Sequence, residues 1–156
     1  MMTPLPNTES FVSATLYLTS GELAPSVIAE RLGLTPTRMR YKGEFVAVER
    51  PELGRDPDNY FILEVRRVVQ RTEATFTQDD SATQLLRTAI EELMGMIEPV
   101  ADKLLQLQVS ATLMCAYRAM HAPQWFILPN TLLCRLAALN LSVKVLWTSP
   151  DSKPEA

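Results

Sequence analysis

Residues 11–44 read FVSATLYLTSGELAPSVIAERLGLTPTRMRYKGE, and this stretch decides the fold class. Residues 12–18 alternate apolar and polar side chains, which is typical of a strand with one buried face. A short helix follows in the prediction, because Pro25 suits its first position and Gly33 suits a left-handed C-terminal cap. Pro36 prevents the helix from continuing. The stretch therefore predicts a strand, a helix and a second strand.

The second strand, residues 37–42, alternates cations with less polar side chains. We expect Thr37, Met39 and Tyr41 to face the core, and the cations to face outward. Guanidinium groups bind carboxylate or phosphate bidentately, so the outward face is a candidate site for a small anion. The simpler interpretation is a solvated basic face neutralised by nearby acids. The candidate ligand-binding residues are Arg38, Arg40, Lys42, Gly43, Glu44 and Arg66, with Arg67 and Arg71 as further cations of the same group.

The middle of the chain predicts a long exposed connection and then a strand and a long helix. Residues 45–59 hold prolines, a glycine and several acids, and residues 60–69 alternate like a third strand. Ser81 and Gln84 have the spacing of a capping box at the start of the helix, and an apolar stripe follows. Pro99 is expected to kink this helix or to restart it as a second short piece.

The last third of the chain predicts a strand, a helix and a closing strand. Residues 109–118 alternate, residues 130–139 are rich in leucine, and Asn140 suits the C-terminal cap of that helix. Residues 141–147 form the closing strand. The start of the fourth strand repeats the SATL of the first strand, which suggests two related strand-helix-strand units.

The resulting order, β-α-β-β-α-β-α-β, predicts an α+β fold. It contains the split β-α-β of ferredoxin-like folds with an additional helix and strand, so we expect a mostly antiparallel sheet with helices on one face. Residues 11–148 are expected to form a single domain, between mobile tails at residues 1–10 and 149–156. The face of the sheet without helices would be open to water, a partner or a ligand.

The exit of the first helix and the turn after the second strand carry a family resemblance. Together they resemble a bacterial family known as the domain of unknown function four-two-seven-nine, which has an I-x-x-x-L-G-L-x-P-[TS] helix exit and a K-G-E turn. The resemblance implies no known activity, and it is compatible with immunity proteins that neutralise toxins. The matching positions are Ile28, Leu32, Gly33, Leu34, Pro36, Thr37, Lys42, Gly43 and Glu44.

Composition limits the classes of partner. The 156 residues have a net charge of −3 and a pI near 5.2, which gives no overall attraction to nucleic acid or to anionic membranes. No apolar run approaches the length of a membrane span and the first residues lack a signal sequence, so we expect a cytoplasmic protein. Cys115 and Cys134 lie in apolar patterns and are expected to be buried thiols without a disulfide.

No constellation of residues predicts catalysis. His121 is the single histidine, and no second residue is spaced to act with it as a base or metal ligand. Phosphate-binding, hydrolase and zinc motifs are missing from the sequence. We therefore predict no catalytic residue, no metal site and no cofactor.

Protein binding is the function that the sequence favours. Trp125, Val145 and Trp147 are the predicted partner-binding residues, because aromatic and β-branched side chains anchor interfaces. The partner is expected to be another protein, and the apolar last strand or the open face also predicts a homodimer. The alternative is a sensor or an enzyme that binds a small anionic ligand through residues 38–42.

Overall fold

The computed structural model describes residues 11–68, 80–118 and 127–148, and it confirms a mixed α+β fold with a five-stranded sheet. Element order follows the sequence prediction, including the short helix expected after Pro99. The elements are β1 (Phe11–Ser20), α1 (Pro25–Leu32), β2 (Arg38–Arg40), β3 (Asn59–Val68), α2 (Asp80–Ile97), α3 (Ala101–Gln106), β4 (Ser110–Arg118), α4 (Asn130–Ala138) and β5 (Ser142–Thr148).

The strands lie in the order β2-β3-β1-β4-β5. All neighbouring pairs are antiparallel except β4 and β5, which run parallel and are connected through α4. Within the described ranges, β2 and β5 are thus the two edges of the sheet. The central strand β1 pairs over almost its whole length with β3 and β4.

The hydrophobic core lies between one face of the sheet and the helices. Alternation in β1 places its apolar residues on this face, as predicted, and helices α1, α2 and α4 contribute their buried residues to the same cluster. The largest fully buried side chains in the described part include Phe61, Leu16, Leu18, Ile28, Leu32, Ile90, Leu93, Ile97, Leu113 and Leu136.

Two helices end in the same hydrogen-bonded cap. At the end of α1, Gly33 has φ 67°, its N–H donates to the carbonyl of Glu30, and the N–H of Leu34 donates to Ala29. This is the Schellman pattern, which a residue in the left-handed region makes possible. At the end of α4, Asn140 has φ 55° and takes the equivalent position, as predicted.

Pro99 restarts the long helix, as the sequence predicts. Helix α2 ends at Ile97, a 3-10 turn covers Glu98–Val100, and α3 begins at Ala101. Arg135 of α4 donates to the carboxylates of Glu91 at 2.7 and 2.9 Å and of Glu98 at 3.2 Å, which ties α4 to the end of α2. The hydrogen bond from Arg135 lowers the pKa of Glu98.

The structure corrects the predicted second strand. It extends only over Arg38–Arg40, and Met39, which we expected in the core, is 41% exposed. The physical reason is that, among the described strands, β2 lies at an edge and pairs with β3 alone, so little apolar surface covers its inner face.

The buried-thiol prediction is correct for one cysteine and wrong for the other. Cys115 lies in the core, where burial raises the pKa of its thiol to about 11. Cys134 is exposed, because it lies on the outer side of α4 while Leu132 and Leu136 point into the core. Neither forms a disulfide.

The two strand-helix-strand units have different placements of their strands. Strands β4 and β5 are direct neighbours, whereas β3 lies between β1 and β2. The units therefore share an element order and a type of helix cap but not a strand arrangement.

Several predicted features lie outside the described residues. They are the two tails, Arg71, His121, Trp125 and the side-chain contacts of the capping box at Ser81. In the part of the chain that is described, none of the helices has both the length and the apolar character of a membrane span.

Candidate functional site

The connection between β2 and β3, residues 41–58, forms a folded arm. Phe45 and Arg55 make an antiparallel bridge, and the N–H of Val46 donates to Gly54 at 3.0 Å. Nearer the sheet, the N–H of Gly43 donates to the carbonyl of Asp56 at 2.9 Å. The long exposed loop expected from the sequence is therefore a hairpin with its own hydrogen bonds.

The K-G-E motif forms the turn at the base of this arm. Gly43 has φ 87°, a conformation that glycine adopts without steric cost, and the N–H of Glu44 donates to the carbonyl of Tyr41 at 3.1 Å. The N–H of Lys42 donates to the side-chain oxygen of Asn59 at 2.9 Å. The backbone of the motif thus has a structural role.

A buried carboxylate holds the arm against β2. Asp56 is 4% exposed, and Arg40 donates to it through Nε at 3.0 Å and through its terminal nitrogen. The guanidinium of Arg40 also lies 5.1 Å from the ring centroid of Tyr60. Asp56 occupies the bidentate position on Arg40 that a bound anion would otherwise take.

The remaining predicted ligand-binding residues are separated into two places. Arg38 and Lys42 are exposed near Arg40. Arg66 lies four residues farther along β3 than Ile62, the partner of Arg38, which corresponds to roughly 14 Å in a strand. The structure therefore brings Arg38, Arg40, Lys42, Gly43 and Glu44 together and leaves Arg66 apart.

At its separate position, Arg66 has contacts of its own. Its Nε donates to Glu64 at 3.0 Å, and its guanidinium lies 4.2 Å from the ring centroid of Phe11. Arg67, one residue on, forms an ion pair with Glu92 of α2. Acids thus accompany several of the cations, and anion binding at these positions stays a prediction.

The predicted partner-binding residues Val145 and Trp147 lie on the edge strand β5. These two residues are 57% and 46% exposed, and Val143 and Leu146 are exposed as well. Register with β4 places Val143, Val145 and Trp147 on the helix-bearing face and Leu146 on the other. The helix-bearing face of the strand is therefore apolar and exposed, and Leu146 adds one exposed apolar side chain to the other face.

The two edges of the sheet differ in how well they are protected against pairing with a strand of another chain. Strand β2 has three residues, two of them arginines, which is the short charged edge that discourages pairing with another chain. Strand β5 has seven residues, and Lys144 is its single charged residue. An edge that is long and apolar is a template for a further strand.

Asp56 and Leu146 were missed as site residues by the sequence analysis. Asp56 is 16 residues from Arg40, and no local pattern indicates that pair. Leu146 had a detectable signal, because it is apolar although it alternates with Val145 and Trp147, and a strand covered on one face does not require an apolar residue at that position.

The other concave or polar features of the described residues have fewer groups that could bind a ligand. A depression of about 180 Å³ lies between α3, the start of β4 and the end of α4, and its described lining, which includes Leu104 and Leu139, carries no charge. Among the described residues, no three His, Cys, Asp or Glu side chains cluster in a way that could hold a metal ion.

Comparison with known families gives one match. The model of a family described as Domain of unknown function (DUF4279) matches residues 9–148, which is most of the chain. The chain belongs to this family. The match confirms the resemblance seen in the helix exit and the K-G-E turn. No curated protein and no solved structure matches the chain.

The two family motifs correspond to two defined backbone structures. The L-G-L segment of the helix exit is the Schellman cap of α1, and the K-G-E segment is the turn at the base of the arm. Both glycines have positive φ. In this chain, the motif residues thus shape the backbone, and the candidate interaction surface on β5 lies elsewhere in the sheet.

Proposed function

We propose that the chain is a protein-interaction domain that binds its partner by addition of a strand to β5. The single observation that carries the proposal is that this edge strand is seven residues long and that its helix-bearing face is apolar and exposed. In strand addition, backbone hydrogen bonds supply affinity and alternate side chains supply specificity. Val145 and Trp147 are the proposed anchors on one face, and Leu146 on the other.

The rest of the fold supports this role by keeping β5 in place. Strand β5 pairs with β4 along its whole length, and β4 contributes Leu113 and Cys115 to the core. Helix α4, which leads into β5, is tied to α2 through Arg135. A rigid edge binds a partner strand with a smaller loss of conformational entropy than a flexible segment does.

We also infer a ferredoxin-like unit for the first four strands. The supporting observations are that α1 connects β1 to β2, that β3 lies between them, and that β3 is antiparallel to both. Helix α4 and strand β5 are then additions at the β4 side. In this interpretation, the proposed docking edge belongs to the addition.

Affinity capture followed by reconstitution tests the proposed function. The wild-type chain, Val145→Lys and Val48→Lys serve as baits in the source cell, and a captured protein is then purified and titrated against all three. Val48 is the matched control, because it is 85% exposed at the far end of the arm and receives the same substitution.

We expect Val145→Lys to raise the dissociation constant of the captured partner by about tenfold or more, since it places an unpaired charge at a buried contact. Val48→Lys should leave it unchanged. Equal binding by all three chains would refute docking on β5. Immunity against a toxin is the specific form of this proposal, and rescue of toxin-expressing cells by the wild-type chain but not by Val145→Lys is its test.

A further inference from the structure

We infer that the strand added to β5 is the β5 of a second copy of this chain, in a symmetric antiparallel pair. The inference rests on the proposed function, because it names the occupant of the same edge. A two-fold axis requires a surface that is complementary to itself. The sequence of β5 meets that requirement in one particular register.

The register follows from the length of the strand. Strand β5 covers Ser142–Thr148, so a two-fold axis through Val145 is the arrangement in which every residue of the strand gains a partner. An axis through Lys144 would place two like charges directly opposite each other, which is destabilising in a sheet. An axis through Leu146 would leave Val143 opposite residue 149, beyond the strand.

The register centred on Val145 pairs chemically compatible side chains. Val143 lies opposite Trp147 of the second copy, and Val145 lies opposite its own equivalent, all on the helix-bearing face. An aromatic side chain against a β-branched one is a favourable cross-strand pair. On the other face, Lys144 lies opposite Leu146 and can cover it with its aliphatic stem.

The second copy also explains the exposure of the helix-bearing face at β5. Val143, Val145 and Trp147 continue the row of core residues from β4, yet each is exposed at the end of the sheet. A two-fold axis perpendicular to the sheet joins the helix-bearing faces of both copies side by side. The partner's β5 then supplies the apolar neighbours that are missing beyond this edge.

Light scattering across a dilution series of the purified chain tests the second copy. We expect the mass of a dimer at high concentration and of a monomer on dilution. Val145→Lys should weaken self-association by about 100-fold, because two lysines would then meet at the two-fold axis. Val48→Lys should behave like wild type, and circular dichroism should show that both variants are folded.

Cysteine cross-linking tests the register. In a Cys134→Ala background, which removes the exposed native thiol, Val145→Cys should form a covalent dimer under mild oxidation. Directly opposite residues in a sheet lie within the separation of Cα atoms that a disulfide spans. Lys144→Cys should cross-link at least about tenfold more slowly, since its equivalent is a diagonal neighbour at 7 to 8 Å.

Three outcomes would overturn the inference: a monomer at every concentration, a dimer that Val145→Lys leaves intact, or equal cross-linking by Lys144→Cys. The proposed function is judged separately. A chain that is monomeric alone but binds a different purified protein through Val145 retains the proposed function and excludes the second copy as occupant. A chain whose partner binding ignores Val145 loses both.

Discussion

Asp56 is the residue on which the position of the arm most depends. It is buried, its carboxylate accepts two hydrogen bonds from Arg40, and its backbone accepts another from Gly43. Removal of the carboxylate would leave the guanidinium of Arg40 without its acceptor. The side chain of Arg40 is 37% exposed, so water can replace part of the interaction.

We therefore predict that Asp56→Ala lowers the free energy of unfolding by about 1.5 kcal/mol, at the low end for hydrogen bonds to charged groups. Urea denaturation followed by circular dichroism measures it. Glu49→Ala is the control, because Glu49 is an exposed acid in the same arm, and its effect should stay within about 0.5 kcal/mol. Identical midpoints for the two variants would show that the pair contributes nothing.

The sequence pattern predicted Arg40 as a site residue but did not indicate its ion-pair partner, Asp56. The alternation of cations in residues 37–42 correctly indicated a charged strand, and it suggested nearby acids only in general terms. The pairing with Asp56 depends on how the arm folds back on the sheet, which is a tertiary property. Residue types alone cannot distinguish a cation that is available to a ligand from one that is already hydrogen-bonded.

At the scale of elements, helix ends were predictable because their chemistry is local. Gly33 and Asn140 both occupy left-handed caps, and each was indicated by its position directly after the apolar pattern of a helix. Edge placement was not predictable in the same way. The prediction of a buried face for residues 37–42 was wrong, because β2 has a neighbour on only one side within the described part of the chain.

The substitution of glycine by alanine is expected to change the free energy of unfolding in opposite directions at a helix cap and inside a helix. Gly33→Ala should destabilise the chain by about 1 kcal/mol, because φ near 67° places a Cβ against the following carbonyl. Gly95→Ala should stabilise it by roughly 0.5 to 1 kcal/mol, since Gly95 is exposed within α2 and its added Cβ would meet nothing within 4 Å.

Thermal and urea unfolding of both glycine variants measure these changes. The added methyl group meets open space at both positions, so the backbone conformation accounts for any difference in sign. A stabilising effect at both positions would contradict the left-handed cap at Gly33. A destabilising effect at both would contradict a regular helix at Gly95.

For the whole molecule, the sheet order has the largest functional consequence. Alternation and helix signals predicted a single α+β unit, and the order in which the strands pair places β5 at an edge. The sequence predicted Val145 and Trp147 as partner-binding residues. The strand order adds that one edge of their strand has no neighbour among the described residues. Strand order depends on long-range pairing, and the periodicity of one strand carries no information about its neighbours.

Amide hydrogen exchange of β5 is the measurement that tests the central claim most directly, because strand addition hydrogen-bonds the amides on its outer edge. We predict that exchange in Ser142–Thr148 slows when the chain is concentrated or its partner is added, and that β2, the charged edge, keeps its rate. Val145→Lys should abolish the slowing. Rates in β5 that stay the same at every concentration and with a bound partner would contradict docking on this edge.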